Sequence, residues 1–506
     1  MHTALLLEMI TDALDDRPAA GHRDDAITYR DLLAMARGGG AWIGRRPGDV
    51  VAYIGLNSPD MPVAVFASAM AGRAFAPLNY RLPDADLRRI LARTAPSVAV
   101  VDDDMLPRVE GVEGVAAVAR SVFAAACRDP AGPAASPPEV DPDIAVLLFT
   151  SGTTGEPKAA ILRHHHLTSY VLSTVEFMSA DESEAALISV PPYHIAGVSA
   201  VLTNVYAGRR MVHLPAFTPE AWVEAAAGEG ITHAMVVTTM LDRILDILEA
   251  RKEALPALRA LSYGGGRMPP AVIARALRQL PNVDFVNAYG LTETSSTIAV
   301  LGPEDHHAAR DGTDPKARRR LASVGRPLPG LEVEIRDGEG RVVPMGASGE
   351  VCVRGDQISG EYVGRRLIGD DGWFHTRDSG YLDEDGYLFL EGRMDDVIVR
   401  GGENISPGEI EDVLRAHPCV ADVAVLGAPC DRWGERVVAV VAPRGEADAE
   451  ALKSWVRARL RSTKAPEEIR FQSELPYNET GKLLRRVLKA QFVQAPQGSV
   501  KLTAAG

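Results

Sequence analysis

Short apolar runs bounded by turn formers alternate with longer segments of helical period through the first 300 or so positions of the chain. Residues 27–38, ITYRDLLAMARG, predict a short strand followed by a helix that Gly38 ends. DVVAYIGLNSPDMPVAVFASAMAGRAFAPLNY at 49–80 repeats strand, turn and helix. SVAVVDDD at 97–104 and DIAVLLFT at 143–150 have the look of buried parallel strands. Strands alternating with helices predict an α/β architecture of layered sheets and helices. From residue 332 the pattern turns strand-rich, with EVEIRD, GEVCVRG and GYLFLEG separated by Gly and Asp. After about residue 395 a strand, loop, helix, strand unit predicts a small α+β domain, with Ser406 as N-cap and Glu409 three positions on.

At 506 residues the chain exceeds what one core usually supports, so two domains are expected, 1–394 and 395–506. Residues 128–143 read as a surface connection, and 303–320, PEDHHAARDGTDPKARRR, as a solvated excursion. Hydrophobic residues at 46% and charged residues at 24% suit a soluble globular protein. A net charge of −14 argues against nucleic acid or an anionic membrane as a surface-wide partner. No stretch has the length of a membrane span, and ALLLEMI lacks the flanks of a signal peptide. Cys127, Cys352, Cys419 and Cys430 show no metal spacing, which fits free thiols in a reducing, cytoplasmic compartment.

One stretch concentrates chemistry. TSGTTGEPK places Thr150, Ser151, Gly152, Thr153, Thr154, Gly155 and Lys158 in nine positions after an apolar strand. Backbone N–H groups, hydroxyls and a lysine in one loop suit a polyphosphate. The loop is not a Walker A motif, because Pro157 rather than Gly precedes the lysine.

TSGTTGEPK resembles the phosphate-binding signature of the acyl-adenylate-forming superfamily, which includes acyl-CoA synthetases, peptide-synthetase adenylation domains and firefly luciferase. Further matches follow in family order: YHIAG at 193–197, NAYGLTE at 287–293, SVGRPLPG at 323–330, GWFHTRD at 372–378, GRMDDVIVRGGENISPGEIE at 392–411 and LPYNETGKLLRR at 475–486. The resemblance implies a large N-terminal α/β domain and a small mobile C-terminal lid. Asn287, Ala288, Tyr289 and Gly290 would flank the adenine, with Tyr289 as its flat support. Thr292 would donate to the α-phosphate, and Glu293 would offer a hard oxygen to Mg²⁺. Asp378 would accept the ribose hydroxyls, and Arg393 would add a further donor. Lys482 would bridge carboxylate and α-phosphate, Asp395 would be the hinge, and Gly401 and Gly402 would leave room for a pantetheine arm of CoA.

On the acyl side, Tyr193 and His194 stand where amino-acid-activating relatives carry an Asp, which favours an acid without an α-amine: fatty, aryl or bulky polycyclic. His194 resembles a gate to the thiol channel. Gly264, Gly265 and Gly266 match the loop between acyl pocket and adenine. Arg377 departs from the family's usual Gly and is expected to pair with Asp378, contact nucleotide or shape an interface. Ala159 follows Lys158 where Gly is usual, and Thr463 stands where Tyr is common.

The resulting expectation is an AMP-forming acid–thiol ligase using a carboxylic acid, ATP, Mg²⁺ and CoA. One alternative is a ligase that loads a separate acyl carrier protein, since no carrier domain follows residue 490. Another is a catalytically silent nucleotide-binding protein on the same fold. Which acid is used, and whether the chain is a monomer or a homodimer, the sequence leaves open.

Overall fold

The run SVAVV becomes the strand Ser97–Val101, with all five residues buried. Such a strand is apolar on both faces because helices cover both sides of a parallel sheet. The computed structural model describes residues 1–129, 134–138, 143–150, 157–401, 403–430, 432–477 and 483–493. The chain divides into two compact units, Met1–Glu334 with Cys352–His375, and Ile335–Val351 with Thr376–Gly506.

Among the described residues the first unit holds two large sheets. One runs Val115–Ala119, Ser97–Val101, Val50–Ile54, Ala74–Pro77, Ile144–Thr150, Lys158–Arg163, Glu361–Tyr362, Arg365–Arg366. Its first five strands pair parallel and the rest antiparallel. The other runs Arg326–Pro327, Ser296–Leu301, Asp284–Leu291, Ala260–Gly264, His233–Val237, Ala185–Ile188, Arg210–His213, Pro18–Ala20, Ile27–Thr28, parallel through its centre. The mixed α/β expectation holds, and the largest core cluster joins Leu6, Phe66, Phe75, Leu167 and Val201 from elements around both sheets.

Two local expectations fail. The helix Tyr29–Gly44 does not end at Gly38. A Cβ at Gly39 would lie 2.8 Å from Cys127 Sγ and 2.9 Å from Ala67 Cβ, and one at Gly40 would lie 2.8 Å from Met70 Cβ. These glycines seat neighbouring helices closely rather than break their own. Residues 303–320 are not an irregular excursion but the helices Pro303–Asp311 and Pro315–Arg320. His306 within them is buried, with Nδ1 2.7 Å from Gly302 O and Nε2 2.8 Å from the Tyr263 hydroxyl. Nδ1 must donate to that carbonyl, so in the neutral ring Nε2 accepts from the phenol.

In the second unit the long strands Val420–Cys430 and Gly434–Pro443 pair antiparallel. Period-two alternation sends Val423, Val425, Val437 and Ala439 to the helices Pro407–Arg415 and Ala449–Arg457, and Ala424, Leu426, Val438 and Val440 to Arg485–Val493. Ser406 is at the N-cap position of Pro407–Arg415, but its side chain makes no capping bond. Its hydroxyl donates to Glu391 O at 2.6 Å instead, and Glu409 pairs with Lys464 at 2.5 Å. All four cysteines are free, and among the described residues no helix is long and apolar enough to cross a membrane.

Candidate functional site

Ser151, Gly152, Thr153, Thr154 and Gly155 lie outside the described residues. Their flanks do not: Ile144–Thr150 and Lys158–Arg163 form an antiparallel hairpin in which Thr150 faces Lys158. A strap at 357–363 crosses beside this hairpin. Tyr362 pairs with Ala160, and Val363 N donates to Ala159 O at 2.9 Å.

The same strap holds the turn that bears Glu293. Ser359 N and Gly360 N both donate to Glu293 O at 2.9 Å, and the Tyr362 hydroxyl donates to Glu293 Oε1. Thr150 Oγ1 lies 3.4 Å from that hydroxyl. Thr150 and Glu293, far apart in sequence, therefore converge on one phenol. Gln357 Nε2 fixes the turn from below through Thr294 O at 3.0 Å and Thr297 O at 2.7 Å. Neither Tyr362 nor Gln357 stood out in the sequence, because their partners are 60 to 212 positions away.

Asn287, Ala288, Tyr289 and Gly290 lie on the strand Asp284–Leu291, and Thr292 and Glu293 on the 3₁₀ turn that follows. Thr294 pins this turn: its Oγ1 accepts from Leu291 N at 2.9 Å and reaches Ser296 O at 2.8 Å. Gly290 is required by space, since a Cβ there would sit 1.8 Å from Ser296 O. Asn287 is buried and donates to Ser323 O at 3.1 Å. Gly264 pairs with Ala288, and a Cβ on it would meet Ala288 O at 2.3 Å. Gly265 has φ +78°, while at Gly266 a Cβ would make only ordinary contact with Thr238. The missing side chains at Gly264 and Gly290 let neighbouring backbone pack closely around the strand, and Glu293 and Thr292 supply hard oxygen donors. That donor set fits MgATP.

Tyr193 is buried, with its ring edge against Tyr80 at 5.6 Å. His194 lies just before the helix Ile195–Ala207, its ring 4.6 Å from that of Tyr193. Burial, with the Arg81 charge adding to it, pushes the His194 imidazole down to about 4, so the ring is neutral near pH 7. Among the described residues its Nε2 has no hydrogen-bond partner.

In the second unit Asp378 and Arg393 face each other across antiparallel strands, Arg393 Nε 3.1 Å from Asp378 Oδ1. Arg393 also donates to Thr376 O at 3.0 Å, and Asp378 is buried. Arg377 does not pair with Asp378, as one of its expected roles had it. Its guanidinium lies 2.5 Å from Asp395 Oδ1 instead. Arg377 itself has φ +62°, a conformation glycine adopts without strain. Gly401 has φ +59°, and a Cβ there would approach the Trp433 ring to 3.0 Å. Gly402 and Lys482 lie outside the described residues.

The pattern of the AMP-binding enzyme family fits residues 10–363, and that of the AMP-binding enzyme C-terminal domain fits residues 409–482. A fatty acid–[acyl-carrier-protein] ligase of Streptomyces coeruleorubidus is 36% identical over 470 residues, covering 89% of this chain and 88% of its own. A feruloyl-CoA synthase of an Amycolatopsis species is 34% identical over 491 residues, covering 94% and 96%. The solved structure of the O-succinylbenzoate coenzyme A synthetase of Bacillus subtilis, in complex with ATP and magnesium ion, superposes with a TM-score of 0.81 at 27% identity, covering 96% and 99%.

Proposed function

The chain belongs to the AMP-binding enzyme family, and from that premise we propose that it is an AMP-forming acid–thiol ligase acting on a carboxylic acid without an α-amine. The observation that supports this reading most is the convergence of Thr150 and Glu293 on Tyr362, as a phosphate loop next to a metal-holding carboxylate would require. In the first half-reaction a carboxylate oxygen attacks the α-phosphorus of ATP, an acyl phosphoanhydride bond forms, and pyrophosphate leaves. Both reactants are anions, so the chain must neutralise and align them. Thr150, Ser151, Gly152, Thr153, Thr154, Gly155 and Lys158 take the phosphates. Asn287, Ala288, Tyr289 and Gly290 flank the adenine, Asp378 and Arg393 take the ribose, and Thr292 donates to the α-phosphate. Glu293 holds Mg²⁺, which when bound offsets phosphate charge. Lys482 bridges the two reacting anions.

In the second half-reaction a thiol sulfur attacks the acyl carbonyl and AMP leaves. Residues 1–394 and 395–506 act as the two domains, with Asp395 as hinge and Gly401 and Gly402 beside the incoming arm. The separate match of the C-terminal family pattern supports that division. A neutral His194 beside Tyr193 suits a gate, because it presents no charge to an apolar acyl group. The glycines Gly264, Gly265 and Gly266 suit a low wall and hence an extended or aromatic acid. Four free thiols accord with a cytoplasmic location.

A second reading, transfer to a separate carrier protein, is favoured by the 36% identity to the carrier-protein ligase. The test is pyrophosphate release across fatty, aryl, polycyclic and amino acids, with CoA, with a holo carrier protein, or with neither. CoA-dependent thioester from one non-amino acid class is the expected result. Thioester only on the carrier would favour the second reading, and absence of turnover with every acid would leave a nucleotide-binding protein.

A further inference from the structure

Tyr362 is bound into the site from two directions. Its backbone belongs to the strand Glu361–Tyr362, paired to Lys158–Arg163 at Ala160, so it moves with the strand that begins at Lys158. Its hydroxyl reaches across to the Thr292–Thr294 turn and donates to Glu293 Oε1. The main chain of the same strap clasps Glu293 O through Ser359 N and Gly360 N, while Ser359 Oγ donates to Ile161 O. Backbone and side chain of Glu293 are thus both held by residues 359–362. Among the described residues Oε1 is the only one of its two carboxylate oxygens that takes a hydrogen bond.

A carboxylate on a short turn can rotate about its side-chain torsions, and freezing a glutamate costs up to about 2 kcal/mol of rotamer freedom. A residue that has already ordered the carboxylate removes that cost from metal binding. We propose that Tyr362 is the positioning residue for metal-bound nucleotide: its phenol fixes Glu293 with Oε2 left to a divalent cation, and couples that carboxylate to the hairpin of the phosphate loop. This rests on the reading of Glu293 as the Mg²⁺ ligand. It adds a residue from outside the motifs that carry that reading, and a reason for the strap at 357–363 to cross the hairpin.

The test is calorimetric titration of ATP into the full chain, with EDTA and with saturating Mg²⁺, taking the ratio of the two dissociation constants. Tyr362→Phe removes the hydroxyl. A pair with 4-methylphenylalanine and 4-aminophenylalanine at position 362 compares equal bulk without and with a donor, which keeps the test sharp if Tyr362→Phe loosens the fold. Loss of one hydrogen bond to a charged group is expected to shrink the Mg²⁺-dependent ratio about tenfold in the Phe and 4-methyl variants, with binding in EDTA changing less. The 4-amino variant is expected to recover most of it. A parent-like ratio in the Phe and 4-methyl variants, alongside a Glu293→Gln variant that loses the ratio, overturns the role of Tyr362 alone. A Glu293→Gln variant that keeps the parent's ratio, or a parent with no Mg²⁺ dependence, overturns the metal assignment and this inference with it.

Discussion

Arg377 occupies a left-handed backbone position, φ +62°, and its guanidinium is spent on Asp395 at 2.5 Å. The strain of a non-glycine residue there is about 1 kcal/mol. The ion pair that partly offsets it is more than half exposed at both ends, 63% and 55%, and is worth about 0–1 kcal/mol. Arg377→Gly should therefore leave stability unchanged or raise it by up to about 1 kcal/mol in denaturant unfolding. A loss of more than about 1 kcal/mol would mean that the pair outweighs the strain. At this scale the sequence made legible the contiguous motifs that hold Lys158, Thr292 and Glu293, which lie inside the stretch the family pattern matches. Tyr362 and Gln357 were not legible, because a phenol meeting a carboxylate across 69 positions leaves no periodic or local trace. Arg377 was visible as a departure, but its partner Asp395, 18 positions on, emerged only from the structure.

At the scale of elements, the glycines of Tyr29–Gly44 reverse what propensity alone would say. In an exposed helix Gly→Ala gains about 1 kcal/mol. Here the added methyl at Gly39 would meet Cys127 Sγ at 2.8 Å and Ala67 Cβ at 2.9 Å, so Gly39→Ala should cost about 1–3 kcal/mol in chemical denaturation. Pairing it with Cys127→Ala should return part of that loss, since the nearest contact is then gone. The parallel strands were legible from runs such as SVAVV because burial on both faces writes a continuous apolar signal. The end of this helix was not, because the glycine that breaks an isolated helix is the same residue that lets two helices pack closely. Ser406 shows the same limit: its spacing to Glu409 matched a capping box, yet the hydroxyl found Glu391 O and the carboxylate found Lys464.

Across the whole molecule, buried imidazoles make stability fall in acid. Burial first, and neighbouring positive groups after it, push His166 and His213 down to about 3 and His194 to about 4. An unfolded histidine titrates near 6.5, so as pH falls below about 6.5 the unfolded chain takes up protons that the folded chain refuses. Their contribution to stability is therefore full above about pH 6.5 and is lost progressively down to about pH 3–4, each imidazole by up to about 1.4 kcal/mol per pH unit. Urea midpoints between pH 8 and 5 should show this slope, and His213→Leu should flatten it. A slope unchanged in that variant would contradict the burial argument. Because His194 is neutral throughout this range, its titration should leave no inflection in the activity profile above pH 5.

If one chain performs both half-reactions, Lys482 serves only the first. The direct measurement is Lys482→Ala assayed twice, for acid-dependent exchange of pyrophosphate into ATP and for thioester formation from supplied acyl-adenylate and CoA. A loss of about 10²–10³-fold is expected in the first, as for removal of one positioned donor to developing charge, with the second within a few-fold of the parent. Equal losses in both, or no loss in either, would contradict it.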